Sequence, residues 1–320
     1  MLELAIPLRE TIDKSALLDL ARWFAECPSN ASWYVASDYC FNDHSKKSDV
    51  ASFSILLQHD TLNNIKSYIN YFAPKDLKHT RNISLDFLKY VNSPVIFNFT
   101  FVIDRESQLL EDYATKENME EFFEGFEEFI RAINTSALKP GYIDNVLKRA
   151  RETRESLKPK STNIRLSRQI FHVATFASLI FHYLNKVKAP SHITWVSDRD
   201  ALIDRGSGYI YDLSYFMFLA EHIRVPQDEP SVNGMIQIDK PYFVHQIPAK
   251  SGINEYDELI RIPDYLAGTI ADLDILNTEF SKNKYYTVFK HSIVNSGNHA
   301  IIHISGSGQN LHTKRLVYKT

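Results

Sequence analysis

A chain of 320 residues, 44% hydrophobic and 23% charged, is long enough for one large α/β domain with insertions or for two smaller domains. A net charge of −3 excludes a general attraction to nucleic acid, so any such contact requires a local basic patch. Cys27 and Cys40 form no CxxC pair, which argues against a disulfide framework or a zinc ribbon and is typical of a reducing cytoplasm. The first ten residues lack the charge order of a signal peptide, and the longest apolar stretch, residues 170–184, is too short to span a bilayer. We therefore expect a cytoplasmic protein without a membrane segment.

Hydrophobic periodicity predicts the elements of the first hundred residues. A short strand at residues 2–8 and a helix at about 14–25 are expected to form an N-terminal extension. The region that follows is predicted to alternate strands with helices. Its strands are expected at residues 33–38, 50–58 and 95–103, and its helices at 62–72 and 85–91.

The middle of the chain is predicted to be helical. An amphipathic helix at residues 119–133 carries an apolar stripe, and the glutamates on its other face are expected to be solvated. Residues 148–168 are strongly basic, so we expect them either to follow a nucleic-acid backbone or to form a soluble linker. A helix at residues 170–184 is apolar on nearly every side, which predicts central burial.

The last part of the chain combines helices with short strands. A strand at residues 192–198 ends at an aspartate, and an aromatic helix is expected at 209–222. A late helix is predicted to begin at Pro263 and Asp264, because proline suits the first turn of a helix. Other strands are expected at residues 235–238 and 242–247, and in an added β element within 285–320.

This order of elements indicates an α/β fold with a mixed sheet flanked by helices. A strand, a helix and a second strand imply a right-handed crossover and a parallel pair. Three early strands, a helix, a strand ending in Asp and a late helix with Asp follow the order of an RNase H-like fold. We expect an RNase H-like domain at residues 31–280 with a helical insertion at about 105–165, flanked by extensions at 1–30 and 281–320.

Acidic residues occur where an RNase H-like fold brings two strand ends and a late helix together. Asp38 and Asp198 end strands, and Asp264 lies on the late helix. Phosphodiester hydrolysis develops negative charge on the attacking and leaving oxygens, which two divalent ions about 4 Å apart stabilise. Mg²⁺ and Mn²⁺ prefer carboxylate oxygens, so we expect these three aspartates to be metal ligands, with Asp200 as an alternative to Asp198. The simpler interpretation makes each of them a turn former or a helix cap.

Four short motifs follow one another along the chain. They are Asp38-Tyr39-Cys40, Asp76-Leu77-Lys78-His79, Asp198-Arg199 and the run from Arg261 to Gly268. In this order they resemble the motifs of an RNase H-like nuclease family, catalogued as domain of unknown function 3800. The resemblance covers roughly residues 32–275. It implies a metal-dependent nuclease with a metal-bound water as nucleophile.

The resemblance also implies roles for further residues. Asp76 would assist the three aspartates, and Lys78 or Arg199 would contact phosphate, although an exposed lysine is the simpler explanation of Lys78. Nucleic-acid contacts are expected from these basic residues: Arg149, Arg151, Arg154, Lys158, Lys160, Arg165 and Arg199.

This chain departs from the family pattern in each of three motifs. The family has Glu-Ser-Gly where this chain has Tyr39-Cys40, and Glu where it has Asp76. Arg261 and Pro263 replace Gln and Ala. These departures motivate an alternative function, a catalytically degenerate module that binds nucleic acid or a protein partner. Such a module would work within a larger assembly, such as a defence system.

Overall fold

The structure is a computed structural model that describes residues 2–105, 111, 114–134, 141–159, 163–222, 236–237, 243–245, 255–307 and 310–319. Its contacts divide the chain into two compact units. The helical unit comprises Met1–Ala5, Leu110–His182 and Arg199–Phe243. The sheet unit comprises Ile6–Leu109, Tyr183–Asp198 and Val244–Thr320.

The described residues form strands and helices with the following bounds. The strands are β1 (Ser32–Cys40), β2 (Asp49–Leu57), β3 (Ile96–Ile103), β4 (Ile133–Asn134), β5 (His192–Ser197), β6 (Ile236–Gln237), β7 (Phe243–His245), β8 (His299–Ser307) and β9 (Asn310–Leu316). The helices are α1 (Leu2–Ser15), α2 (Leu17–Trp23), α3 (Leu62–Phe72), α4 (Leu85–Val91), α5 (Lys116–Ala132), α6 (Tyr142–Leu157), α7 (Ile164–Lys188), α8 (Ala201–Asp204), α9 (Tyr209–His222), α10 (Asp257–Asp272) and α11 (Asn283–Ser292).

A mixed sheet of seven strands has the order β7-β5-β1-β2-β3-β8-β9. The first three strands are antiparallel neighbours, whereas β5 is parallel to β1 and β8 is parallel to β3. The predicted α/β class with a mixed sheet and flanking helices is therefore confirmed. The strands predicted near the C-terminus belong to this same sheet, since β9 pairs with β8.

The centre of the sheet is covered on both faces, because every residue of β2 and β3 is buried. Polar side chains in these strands contact one another: the Ser52 and Thr100 hydroxyls lie 2.8 Å apart, and Ser54 donates to Asn98 Oδ1 at 2.7 Å. Hydrogen bonds of this kind offset part of the cost of burying polar groups. Helix α10 packs across β1 and β2, and α11 packs against α10 and α4.

Two of the predicted elements are wrong. Residues 2–8 belong to helix α1, because Leu8 and Ile12 recur at helical spacing and are completely buried. The late helix begins at Asp257, so Pro263 and Asp264 lie in its interior. An interior proline costs about 3 kcal/mol, and burial of most of the apolar residues of α10 offsets that cost.

The helical unit is built largely from α5, α6, α9 and the N-terminal part of α7. Its core is aromatic: Phe122 lies edge-on against Phe171 at 4.7 Å, and Phe126 lies edge-on against Phe216 at 6.0 Å. Strands β4 and β6 form a short parallel pair. Across the described segments, no helix combines the length and apolar character needed to cross a membrane.

Candidate functional site

An open cleft of about 730 Å³ lies in the sheet unit. Acidic side chains from β1, α10, the segment after β5 and the connection between α3 and α4 line it, together with basic side chains. The lining includes the acidic residues Asp38, Asp76, Asp198, Asp257 and Asp264, the basic residues Lys75, Lys78 and Arg261, and His79. The structure therefore brings Asp38, Asp198 and Asp264 to one cleft, with Asp76 and Lys78 beside them.

The parallel pairing of β1 and β5 accounts for the placement of two aspartates. Ser37 is in register with Ser197, so Asp38 and Asp198 are the next residues along two neighbouring parallel strands. Such residues emerge at the same edge of a sheet. Asp38 is partly exposed, and Asp198 is exposed to solvent.

Tyr39 lies on the other face of β1 from Asp38, because successive side chains of a strand alternate. The Tyr39 hydroxyl lies 2.7 Å from the Ser37 hydroxyl and accepts a hydrogen bond from Ser197 at 3.2 Å. Tyr39 thus links β1 to β5. This link could not be read from the sequence, because it depends on strand pairing.

Asp264 is fixed by the segment between α3 and α4, residues 73–81, which we call loop 73–81. The Leu77 backbone N–H donates to Asp264 Oδ2 at 2.7 Å. Glycine one turn later leaves room for the Leu77 side chain, since a Cβ at Gly268 would lie 2.9 Å from Leu77 Cδ2. Gly268 therefore lets loop 73–81 lie against α10, which also packs on the sheet.

Further hydrogen bonds hold loop 73–81 in place. Arg261 donates to the Ala73 carbonyl at 2.8 Å, and the Tyr265 hydroxyl donates to the Lys75 carbonyl at 3.1 Å. Lys284 of α11 donates to the carbonyls of Leu77, Lys78 and Thr80 at 2.6, 3.3 and 3.1 Å. Sequence reasoning missed Lys284, and only its nearness in space to the loop reveals its role.

Burial raises the pKa of Asp264 to about 6. The Leu77 N–H and the Lys284 ammonium group oppose this rise in pKa, and the negative charges of Asp76 and Asp198 act together with burial. Carboxylates from a loop, a strand end and a helix therefore share one electrostatic environment. Repulsion of this kind is what a bound cation relieves.

The raised pKa predicts how stability depends on pH. Between about pH 4 and pH 6 the folded state holds the Asp264 proton while the unfolded state, with a pKa of 3.8, releases it. Stability therefore falls as pH rises through this window. We expect Asp264→Asn to be more stable than wild type by about 1–3 kcal/mol at about pH 8, with the difference vanishing below about pH 4.

Urea unfolding at the two pH values measures this difference. Asp86→Asn is a suitable control, because the Asp86 carboxylate is well exposed and pairs with Lys89 on the surface of α4. Its loss is expected to change stability by less than about 0.5 kcal/mol. A stability gain for Asp264→Asn that is equally large at both pH values would contradict the assigned pKa.

Asp200 and Arg199, the other site residues predicted after β5, form hydrogen bonds with residues that follow them closely in the chain. Asp200 caps α8 by accepting from the Leu202 and Ile203 backbone N–H groups at 2.8 and 3.1 Å. Arg199 donates to Asp204 at 2.8 Å. Asp198, which lines the cleft, is thus the better placed of the two alternative ligands.

Much of the basic segment is engaged inside the helical unit. Arg149 donates to Asp212 at 2.8 Å, and Arg151 donates to Glu127 at 3.2 Å. The expectation that the α5 glutamates are solvated is wrong at Glu127, which is 4% exposed and also pairs with Arg154 at 3.6 Å.

The other predicted nucleic-acid contacts differ in their surroundings. Lys158 donates to Glu155 at 2.6 Å, whereas Arg165 is exposed on α7. Lys160 lies outside the described residues. The segment therefore supplies internal ion pairs, and its proposed contact with nucleic acid stays a prediction.

Within the described ranges, no three carboxylate, imidazole or thiolate groups are arranged to hold a metal ion. Comparison with protein-family models, curated proteins and solved structures gave no match. The function of the cleft is therefore inferred from the chemistry of its lining residues.

Proposed function

We propose that the sheet unit carries an RNase H-like site for metal-dependent hydrolysis of phosphodiester bonds. One observation carries the proposal: Asp38 and Asp198, from two neighbouring parallel strands, line the same cleft as Asp264 from the helix packed on those strands. Strand ends and a late helix are where such a fold places its acidic residues. The antiparallel order of β1, β2 and β3, with β5 parallel to β1, supports the same assignment.

The donor chemistry of the cleft suits Mg²⁺ or Mn²⁺, because both prefer hard carboxylate oxygens. Asp38, Asp198 and Asp264 would hold the ions, and Asp76 would assist. Bound ions would supply an activated water and stabilise the negative charge of the reacting phosphate. Since no three-ligand cluster is preformed among the described residues, metal binding is itself the first step to test.

The chain's own residues have separate tasks in this proposal. Asp264, held by the Leu77 N–H, keeps a fixed position and is mostly ionised above about pH 6. Lys78 is exposed at the cleft and would contact a phosphate oxygen. Lys284 acts as a positioning residue, because it fixes the backbone that carries Asp76 and Lys78.

Cleavage of labelled oligonucleotides tests the proposal directly. Purified protein is incubated with single-stranded DNA, single-stranded RNA and duplex DNA in the presence of Mn²⁺, Mg²⁺ or a chelator. We expect cleavage with Mn²⁺ or Mg²⁺ and none with the chelator. Folded protein that leaves every substrate intact with either ion would refute the enzyme assignment.

A second candidate function is a module that binds nucleic acid or a protein partner without cutting. The absence of a preformed three-ligand cluster in the described part of the chain favours it. Such a module would show salt-sensitive binding and no stabilisation by divalent ions. Measurements of cleavage, of salt-sensitive binding and of stabilisation by divalent ions on one protein preparation therefore distinguish the two functions.

A further inference from the structure

Helix α3 presents an exposed aromatic face. Tyr71 is 79% exposed and Tyr68 is 48% exposed. Both rings lie edge-on against Phe72, at 4.9 and 5.0 Å, and Phe72 itself packs against the core of the sheet unit. Tyr68 also contacts the buried Tyr90 at 5.0 Å. The exposed rings are thus supported from below, which leaves flat aromatic surfaces open to solvent.

Positive charge adjoins this face. Loop 73–81 begins directly after Phe72 and carries Lys75, Lys78 and Arg81, all exposed, against a single acidic residue, Asp76. Among the described residues, neither Lys78 nor Arg81 has an ion-pair partner. The only charged residue of α3 is Lys66, which pairs with Glu258 at 3.7 Å, so α3 itself contributes no acidic residue to this face.

The C-terminal end of α3 is joined by the chain to the aspartate cleft. Tyr71 lies in the last turn of α3, and Pro74 and Lys75, three and four residues later, line the cleft. Arg261, which also lines the cleft, donates to the Ala73 carbonyl at 2.8 Å. A single strand stacked on Tyr71 would therefore reach the aspartates by following loop 73–81.

We infer that Tyr68 and Tyr71 stack on unpaired bases of single-stranded nucleic acid whose phosphates contact loop 73–81. Exposed aromatic rings beside cationic side chains are the pattern that single strands require, because every base has a face that stacks and every linkage carries a negative charge. A duplex hides its base faces and cannot use such rings. The inference rests on the proposed function, since the strand leads into the proposed hydrolytic cleft and becomes its substrate.

Binding is measured by fluorescence anisotropy with labelled single-stranded DNA, single-stranded RNA and a duplex, all in the Asp264→Asn background, which prevents cleavage. Tyr71→Ala is expected to weaken single-strand binding about 5- to 100-fold. Tyr71→Phe keeps the ring and should bind like the parent. Tyr286→Ala is the matched control, because Tyr286 is 47% exposed on α11 and should not change binding.

The salt dependence of binding tests the phosphate contacts. Arg81→Gln is expected to reduce the slope of log K against log salt concentration by about 0.7, the value for one phosphate of a single strand. Single-strand binding that Tyr71→Ala leaves unchanged would overturn the inference. The inference would also be overturned if Tyr71→Ala weakened duplex binding as much as single-strand binding. The same holds if the protein bound no single strand, in which case a protein partner would be the occupant of this face.

These outcomes are independent of the cleavage result. If Tyr71→Ala weakens binding but the protein with the Asp264 carboxylate intact never cleaves, the binding site stands and the hydrolytic function fails. If wild type shows metal-dependent cleavage, and Tyr71→Ala binds and cleaves the single strand as well as wild type does, the hydrolytic function stands and this binding site fails.

Discussion

Replacing Asp264 with asparagine is expected to slow metal-dependent phosphodiester cleavage by at least about 100-fold while the protein stays folded. The carboxylate lies at the meeting point of α10 and loop 73–81, in the same field as Asp76 and Asp198. An asparagine oxygen still accepts the Leu77 N–H, so the loop keeps its anchor. The negative charge needed to hold a divalent ion is lost.

The same variant is expected to be more stable than wild type at about pH 8, so lost activity cannot be ascribed to unfolding. Functional sites commonly gain stability when a strained charged group is removed. Asp257→Asn is a matched control within the cleft, because Asp257 lies in the first turn of α10 and is not one of the proposed ligands. The initial cleavage rate of each variant is measured with Mn²⁺ and compared with that of wild type. Equal rates for Asp264→Asn and wild type would refute the assignment of Asp264.

Asp212→Ala is expected to destabilise the protein by about 3 kcal/mol. The Asp212 carboxylate is 1% exposed, and it accepts hydrogen bonds from Tyr142 at 2.9 Å and from Arg149 at 2.8 Å. Its removal leaves a guanidinium group and a phenol without their partner in the helical unit. Breaking one side of a buried pair costs far more than removing an exposed pair.

Denaturant unfolding measures this loss, with Glu152→Ala as the control on α6. The Glu152 side chain is 62% exposed and pairs loosely with Lys148 at 3.9 Å, so its removal is expected to cost less than about 0.5 kcal/mol. If Asp212→Ala were as mild as the control, Arg149 would not depend on Asp212. Arg149 would then be available for the predicted contact with nucleic acid.

Local pattern was sufficient to predict much of the sheet unit. Strands β1, β2, β3 and β5 lie where alternation or continuous apolar runs place them, and α3 begins and ends as its spacing predicts. The apolar residues of these elements recur with the period of a strand or a helix, so their spacing predicts the elements directly. The shared edge for Asp38 and Asp198 followed from the strand–helix–strand order.

Interactions between distant residues could not be predicted in this way. The start of α10 was placed too late because Pro263 is a common first-turn residue, and nothing local shows that the helix tolerates it in its interior. The role of Lys284 depends on three carbonyls about 200 residues away in the sequence. The neutralisation of Arg149 and Arg151 likewise depends on carboxylates of α9 and α5.

Calorimetric titration with Mn²⁺ is the most direct test of the aspartate cleft as a metal-dependent site. Wild type is expected to bind Mn²⁺ with a saturable heat, and Asp38→Asn is expected to bind at least about 10-fold more weakly, since one carboxylate charge of the cleft is removed. Wild type that takes up no Mn²⁺ at millimolar concentrations, or Asp38→Asn that binds it equally well, would contradict the account.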